Sequence, residues 1–292
     1  MRREWVSTCP SMERALTTDR VMQAHIKRFF GGISVKKVFL LVSVLTLALF
    51  RSQAVATPST TYWTPMTSDI QPYGVWHLGI DNYFTLQKKS DDATPALPTD
   101  TGLTVGVLPF EKIQMEVGVD FLSPAEDQFV FNAKIGTPEG SLFEGSPALN
   151  IGVFNAGAKT TGPALSRTDQ NIVDIIVGKT LPVFGCSCRF HAGGYIGNPN
   201  ALVNVNGEKE NTGYMIGWDM GIMQEKEPDG GEYYKWVFAA DFASGKNAIG
   251  GGGIGVYHYF TKNISVLAGP VWFNEEAING KWKLTTQLDI NW

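Results

Sequence analysis

Three constellations in this chain combine residue types that do chemistry. Gly250-x-Gly252-x-x-Gly255 has the spacing of a dinucleotide-binding turn, which requires a strand before it and a helix after it. Val256-Tyr-His-Tyr-Phe260 follows instead. That run is β-like, so the glycines read as a pliable strand bending at a sheet corner. His258 and Ser265 flank a turn around Phe260. They are the one Ser/His pair in which an imidazole would take a serine proton, as in lipid ester hydrolysis. No third orienting group accompanies them and Gly-x-Ser-x-Gly is absent, so an interfacial histidine beside an ordinary serine accounts for the pair better. Cys186-x-Cys188 lies in a tight turn with no second Cys or His pair at ligand spacing, which leaves two thiols and no expected metal or cofactor.

A broader set of charges stands on the polar side of alternating segments. Asp81, Glu116, Asp120, Asp174, Asp219, Asp241 and Asp289 face Lys134, Arg189, Lys235 and Lys283. Side chains alternate faces along a strand, so these residues share the interior of a sheet closed on itself. Enclosed charges must pair or stay wet. Two interiors satisfy that demand, a plugged one held by ion pairs and a water-filled lumen that mildly prefers cations. Gly79, Gly106, Gly118, Gly217 and Gly221 on the same face remove bulk and favour the lumen.

The elements that must position these charges are short and alternating. In Lys281–Trp292, the residues Trp282, Leu284, Thr286, Leu288, Ile290 and Trp292 occupy one side of an extended strand, opposite Lys283, Thr285, Gln287, Asp289 and Asn291. Twelve such segments are legible, beginning near residues 75, 102, 113, 129, 148, 171, 188, 213, 232, 248, 263 and 281. Ile113–Phe121, Tyr214–Ile222 and Tyr234–Phe242 alternate most cleanly, whereas Asn82 falls on an apolar side. Connections after the second, sixth and tenth segments are tight, and those after the first, fifth and seventh are long and polar. Gly106, Gly178 and Gly255 each precede a tight turn, 72 and 77 residues apart, a weak repeat of four strands that convergent turn chemistry also explains.

The totals suit this plan. Mean hydropathy is −0.05, and 32 glycines with 12% aromatics lean towards β structure. Residues 1–56 hold nine of the 24 Lys/Arg and three of the 28 acids, leaving 15 basic and 25 acidic residues beyond them. A body with that excess offers no footing for nucleic acid. Val35-Lys-Lys, the apolar run Val38–Phe50 and Ala54-Val-Ala56 make the three parts of a secretory signal. Cleavage is expected after Ala56, with residues 1–34 a dispensable or mistranslated extension, 35–56 the signal, 57–74 a periplasmic lead-in and 75–292 the barrel.

A strand of this kind at the chain end, closing on Trp292, resembles the last strand of bacterial outer-membrane β-barrels. The resemblance is architectural, covers residues 75–292, and brings no functional residues with it. It implies an all-β, up-and-down antiparallel transmembrane barrel of about twelve strands in the outer membrane. Its partners would be outer-membrane lipid, small solutes, and the barrel-assembly machinery through the strand ending at Trp292. A porin-like channel for small hydrophilic solutes is the expected function. A lipid-acting enzyme barrel using His258 and Ser265 and a non-conducting structural or adhesive barrel are its alternatives, and a secreted β-sandwich shares the same strand pattern. No chemistry is read in Tyr62-Trp-Thr-Pro65.

Overall fold

Alternation along 282–291 and along 76–84 meets in a single ladder that closes the sheet. In the computed structural model, which describes residues 61–86, 96–125, 127–183 and 185–292, β1 (Trp76–Phe84) pairs with β12 (Trp282–Asn291) from His77↔Asn291 to Phe84↔Leu284. The ring then runs through β2 (Thr99–Gly106), β3 (Gln114–Ser123), β4 (Phe129–Thr137), β5 (Ala148–Gly157), β6 (Asp169–Val183), β7 (Cys186–Ile196), β8 (Thr212–Lys226), β9 (Glu232–Ala243), β10 (Gly251–Thr261) and β11 (Ile264–Phe273). Each strand is antiparallel to its chain neighbours, and the result is a closed twelve-stranded barrel with no free edge. The signal-like stretch and the rest of residues 1–60 lie outside the described residues.

Side chains sort to the two faces as the sequence pattern requires. Phe131, Ile135, Ile151, Val173, Ile175 and Phe238 point out of the ring and are exposed. Ile135, Ile151 and Ile175 stand in one row across β4, β5 and β6. On β12, Lys283, Thr285 and Gln287 are buried inside, while their alternates Leu284, Thr286 and Leu288 face out. Asn82, on the apolar face of β1, is the acceptor of the Thr99 hydroxyl at 2.9 Å.

The inner face is less uniformly polar than the outer face is apolar. Met215, Val237, Ala239, Tyr257, Leu267 and Val271 all point inwards and are almost completely buried. Side chains of that size need packing partners, since an unfilled apolar interior forfeits its dispersion contacts. The partner is the chain's own segment 61–71. Tyr62 is fully buried in a cluster with Tyr83, Tyr257, Leu267, Val271 and Phe273. Met66 is fully buried with Phe154, Ile172, Ile176, Tyr195 and Leu202. Complete burial of two such side chains contributes roughly 1.5–3 kcal/mol each. The stretch expected as a lead-in therefore runs, over its described residues, within the ring.

Candidate functional site: the barrel interior

Segment 61–71 has no ladder of its own, so its backbone polar groups find partners among inward side chains. The Asp241 carboxylate on β9 accepts the amide protons of three successive residues, Tyr62, Trp63 at 3.2 Å and Thr64 at 3.3 Å. A carboxylate receiving three N–H groups is a strong local anchor, because charge-assisted hydrogen bonds are roughly twice as strong as neutral ones. The Tyr62 carbonyl accepts from the Tyr83 hydroxyl at 3.0 Å and from Gln287 Nε2 at 3.2 Å. Trp63 donates its indole N–H to the Ile249 carbonyl at 2.9 Å, and its ring stands edge-on to Tyr83 and Phe273.

Further along, the segment meets the wall on the other side. Asn150 Nδ2 donates to the Thr67 carbonyl at 3.0 Å, and Lys134 Nζ donates to the Asp69 carbonyl at 3.1 Å. The Gln71 amide donates to Glu116 at 2.6 Å. The Ser68 amide donates to His191 Nδ1 at 3.2 Å, which requires that nitrogen to be unprotonated and places the ring proton on Nε2, 3.5 Å from Asp219. Arg189 joins the Asp69 carboxylate at 2.7 Å to Asp219 at 2.8 Å. Asp174 is buried on β6 across Gly152 from Lys134.

The three glycines of the weak repeat now have a physical role. A Cβ on Gly255 would meet the Ala268 carbonyl oxygen of the neighbouring strand and lie 2.7 Å from the Tyr62 ring, one on Gly178 would meet the Ser68 side chain, and one on Gly106 would meet the Gln71 and Pro72 carbonyl oxygens. Gly253 and Gly269 crowd Tyr62 in the same way, at 2.6 and 2.8 Å. Gly106, Gly178 and Gly255 sit on β2, β6 and β10, four strands apart around the ring. At each of them atoms of residues 62–72 lie in the space a side chain would take, joined at Gly255 by the backbone of β11. Within the Gly250–Gly255 run only Gly253 and Gly255 border Tyr62, and it continues as strand β10 without a helix after it.

The opposite wall, β12–β1–β2–β3, is different in kind. Asp289, Gly79, Gly102 and Asp120 form one row across these four strands. In the next row Asp81 pairs with Asp100. Two bare glycines are therefore ringed by four carboxylates. His77 Nε2 lies 3.6 Å from Asp289, and Asn132 donates to Asp120. His77, Asp81, Asp100 and Asp120 remain partly exposed, whereas Asn150, His191, Asp219, Asp241 and Tyr257 on the covered wall are buried. Carboxylates this close stay charged together only with water or cations between them; otherwise one takes up a proton.

Several expected site residues stand apart from both walls. Lys235 pairs with Glu225 at 2.8 Å towards the end of the ring that holds the tight turns. Lys283 is fully buried at the other end of β12. His258 and Ser265 are not brought together. Ser265 pairs in register with Tyr259, not His258, and points inwards, donating to Asp289 at 3.2 Å. His258 points outwards between Trp236 and Phe260. The sheet separates imidazole from hydroxyl, so this pair does not make a nucleophile and base. Cys186 and Cys188 are free thiols on β7, and among the described residues no group of His, Cys, Asp or Glu is arranged to hold a metal.

Asp100 and Asp69 were missed from sequence. Asp100 precedes the point where the second segment was started, although Asp100, Gly102, Thr104 and Gly106 continue one inward face. Asp69 falls in the lead-in, where no alternation marks it.

No family model matches this chain and no curated protein does. Among solved structures, it is similar to the NanC porin, with 6% identity, 73% of this chain and 98% of that chain covered, and a TM-score of 0.40. It is also similar to Salmonella typhi OmpF in complex with daunomycin, at 7% identity, 75% and 96% coverage and a TM-score of 0.38. A variant of the Rh. blastica porin gives 9% identity, 77% and 63% coverage and a TM-score of 0.34. At these identities no residue's role carries over from one chain to another.

Proposed function

We propose that this chain is a porin-like barrel of the bacterial outer membrane, narrowed by its own residues 61–71, that passes small hydrophilic solutes with a preference for cations. The outward row Ile135–Ile151–Ile175 and the exposed Phe131, Val173 and Phe238 support lipid as the outer solvent, because apolar surface of that extent is rare on a water-facing monomer. The observation that carries the cation preference is the partly exposed ring of Asp81, Asp100, Asp120 and Asp289 around Gly79 and Gly102. A lumen rimmed by one sign of charge concentrates the opposite ion.

Purified protein in planar bilayers under a potassium chloride gradient tests this. The expected result is a small unitary conductance with a reversal potential on the cation side, moved towards zero by joint Asp81→Asn, Asp100→Asn, Asp120→Asn and Asp289→Asn changes. An anion-side potential, or silence from a natively folded barrel, overturns it. The segment anchored to side chains of β1, β3, β4, β5, β7, β9 and β12 favours a second reading, a closed structural barrel displaying its loops, and silent bilayers would select it.

A further inference from the structure

We propose that residues 61–71 are a displaceable gate, a peptide bound in cis to a preformed receptor site on the lumen wall, whose release widens the pore. The inference rests on the barrel being a conduit and goes beyond it by assigning the occupant of the lumen a site and a role.

The first support is that the ring is complete without the segment. β1 pairs directly with both β2 and β12, and no residue of 61–71 belongs to any ladder of the barrel. Removing the segment breaks side-chain anchors and leaves every strand pairing intact. A second support is the match between peptide and wall. Gly253, Gly255 and Gly269 leave a trough bordered by Tyr62, although at Gly255 and Gly269 the carbonyl oxygens of Ala268 and Ile254 on the paired strand lie closer still. Gly178 and Gly106 repeat this for Ser68 and Pro72 across the lumen.

The third support is the chemistry of the anchors. The wall recognises main-chain groups, through Asp241 on three amides, His191 and Glu116 on one each, and Tyr83, Gln287, Asn150 and Lys134 on carbonyls. Those contacts suit an extended peptide carrying an aromatic residue, and the tether supplies it at high local concentration. The segment leaves the interior towards β1 through Gly74, whose φ of 74° turns the chain out of the lumen and whose amide donates to the Gly106 carbonyl at 2.9 Å. Release needs movement about that turn and no change in the sheet.

The test compares unitary conductance of the intact protein with that of a chain lacking residues 57–71, both verified as folded barrels. The inference expects a several-fold rise on deletion, reversed by adding a synthetic peptide of residues 57–71. Equal conductance in the two overturns it, and so does a rise that the peptide leaves unaltered. Should the shortened chain not fold, a locked variant decides. Ser68→Cys with Gly178→Cys, in a background without Cys186 and Cys188, places two Cβ atoms 2.8 Å apart, so the segment must move back by about an ångström to reach disulfide geometry. Oxidised protein is expected to hold the low conductance without opening transitions, and reduction to restore them. Identical traces before and after reduction overturn the gate. A cation-selective parent that deletion leaves unchanged removes the gate and keeps the resting pathway. A silent parent that deletion opens removes the resting pathway and keeps the gate.

Discussion

Replacing Asp241 with alanine should loosen segment 61–71 while sparing the barrel. The carboxylate is buried and receives three main-chain amides, from Tyr62, Trp63 and Thr64. Hydrogen bonds to charged groups are worth about 1.5–3 kcal/mol, and each buried donor left without an acceptor costs about 1–3 kcal/mol. Two of the three contacts are long, at 3.2 and 3.3 Å, and their losses do not add fully. The docked segment should therefore lose roughly 3–5 kcal/mol, taking the low end of each contribution. Burial of Tyr62 and Met66 still favours docking by roughly 1.5–3 kcal/mol each, so the segment opens more often without leaving permanently. Amide hydrogen exchange measures this directly, since local opening sets the rate. Exchange across 61–71 should accelerate by about a hundredfold to a few thousandfold, at 1.4 kcal/mol per tenfold, with β3–β8 unchanged. Asp241→Asn keeps one acceptor oxygen and should give a smaller acceleration. Unaltered protection of 61–71 in a folded alanine variant would refute the assignment of Asp241 as the anchor.

Two further consequences concern the ring itself. Arg189→Met leaves the buried Asp219 and its neighbour Asp69 without their shared cation, so urea unfolding should show a loss of about 3–5 kcal/mol; changing Asp219 to Asn in the same chain should recover part of it. Ile151→Arg places a charge in the outward isoleucine row and should cost roughly 2–4 kcal/mol in lipid. The same change at the inward, partly exposed Thr104 should alter ion selectivity and leave unfolding nearly untouched.

Much of the ring was legible because strand alternation is local. Phe129–Thr137, Ala148–Gly157 and Glu232–Ala243 begin where the pattern places their starts, and the faces of β12 divide as the sequence divides them. Asp174, Asp219 and Asp241 are buried on the inner face. Their purpose was not legible, because the partner of Asp241 lies about 178 residues away in a Pro/Thr-rich stretch without any period. The repeat of Gly106, Gly178 and Gly255 was visible, but its meaning lies in what rests on those glycines. Inward apolar residues such as Val237, Leu267 and Val271 match their outward neighbours in hydrophobicity, so they gave no sign of facing a packed interior. For His258 and Ser265, adjacency across a turn was readable and parity was not, since the pairing shifts between Tyr259 and Thr261.

The central claim is that one wall of the lumen is covered by the chain's own segment while the facing wall stays wet. Reaction of single cysteines with a small cationic thiol reagent in intact membranes, without Cys186 and Cys188, measures both walls at once. Cysteines replacing Asp100 and Asp120 should react readily, and those replacing Asn150 and His191 should be slow until residues 57–71 are removed. Equal rates at all four positions in the intact chain would contradict the account.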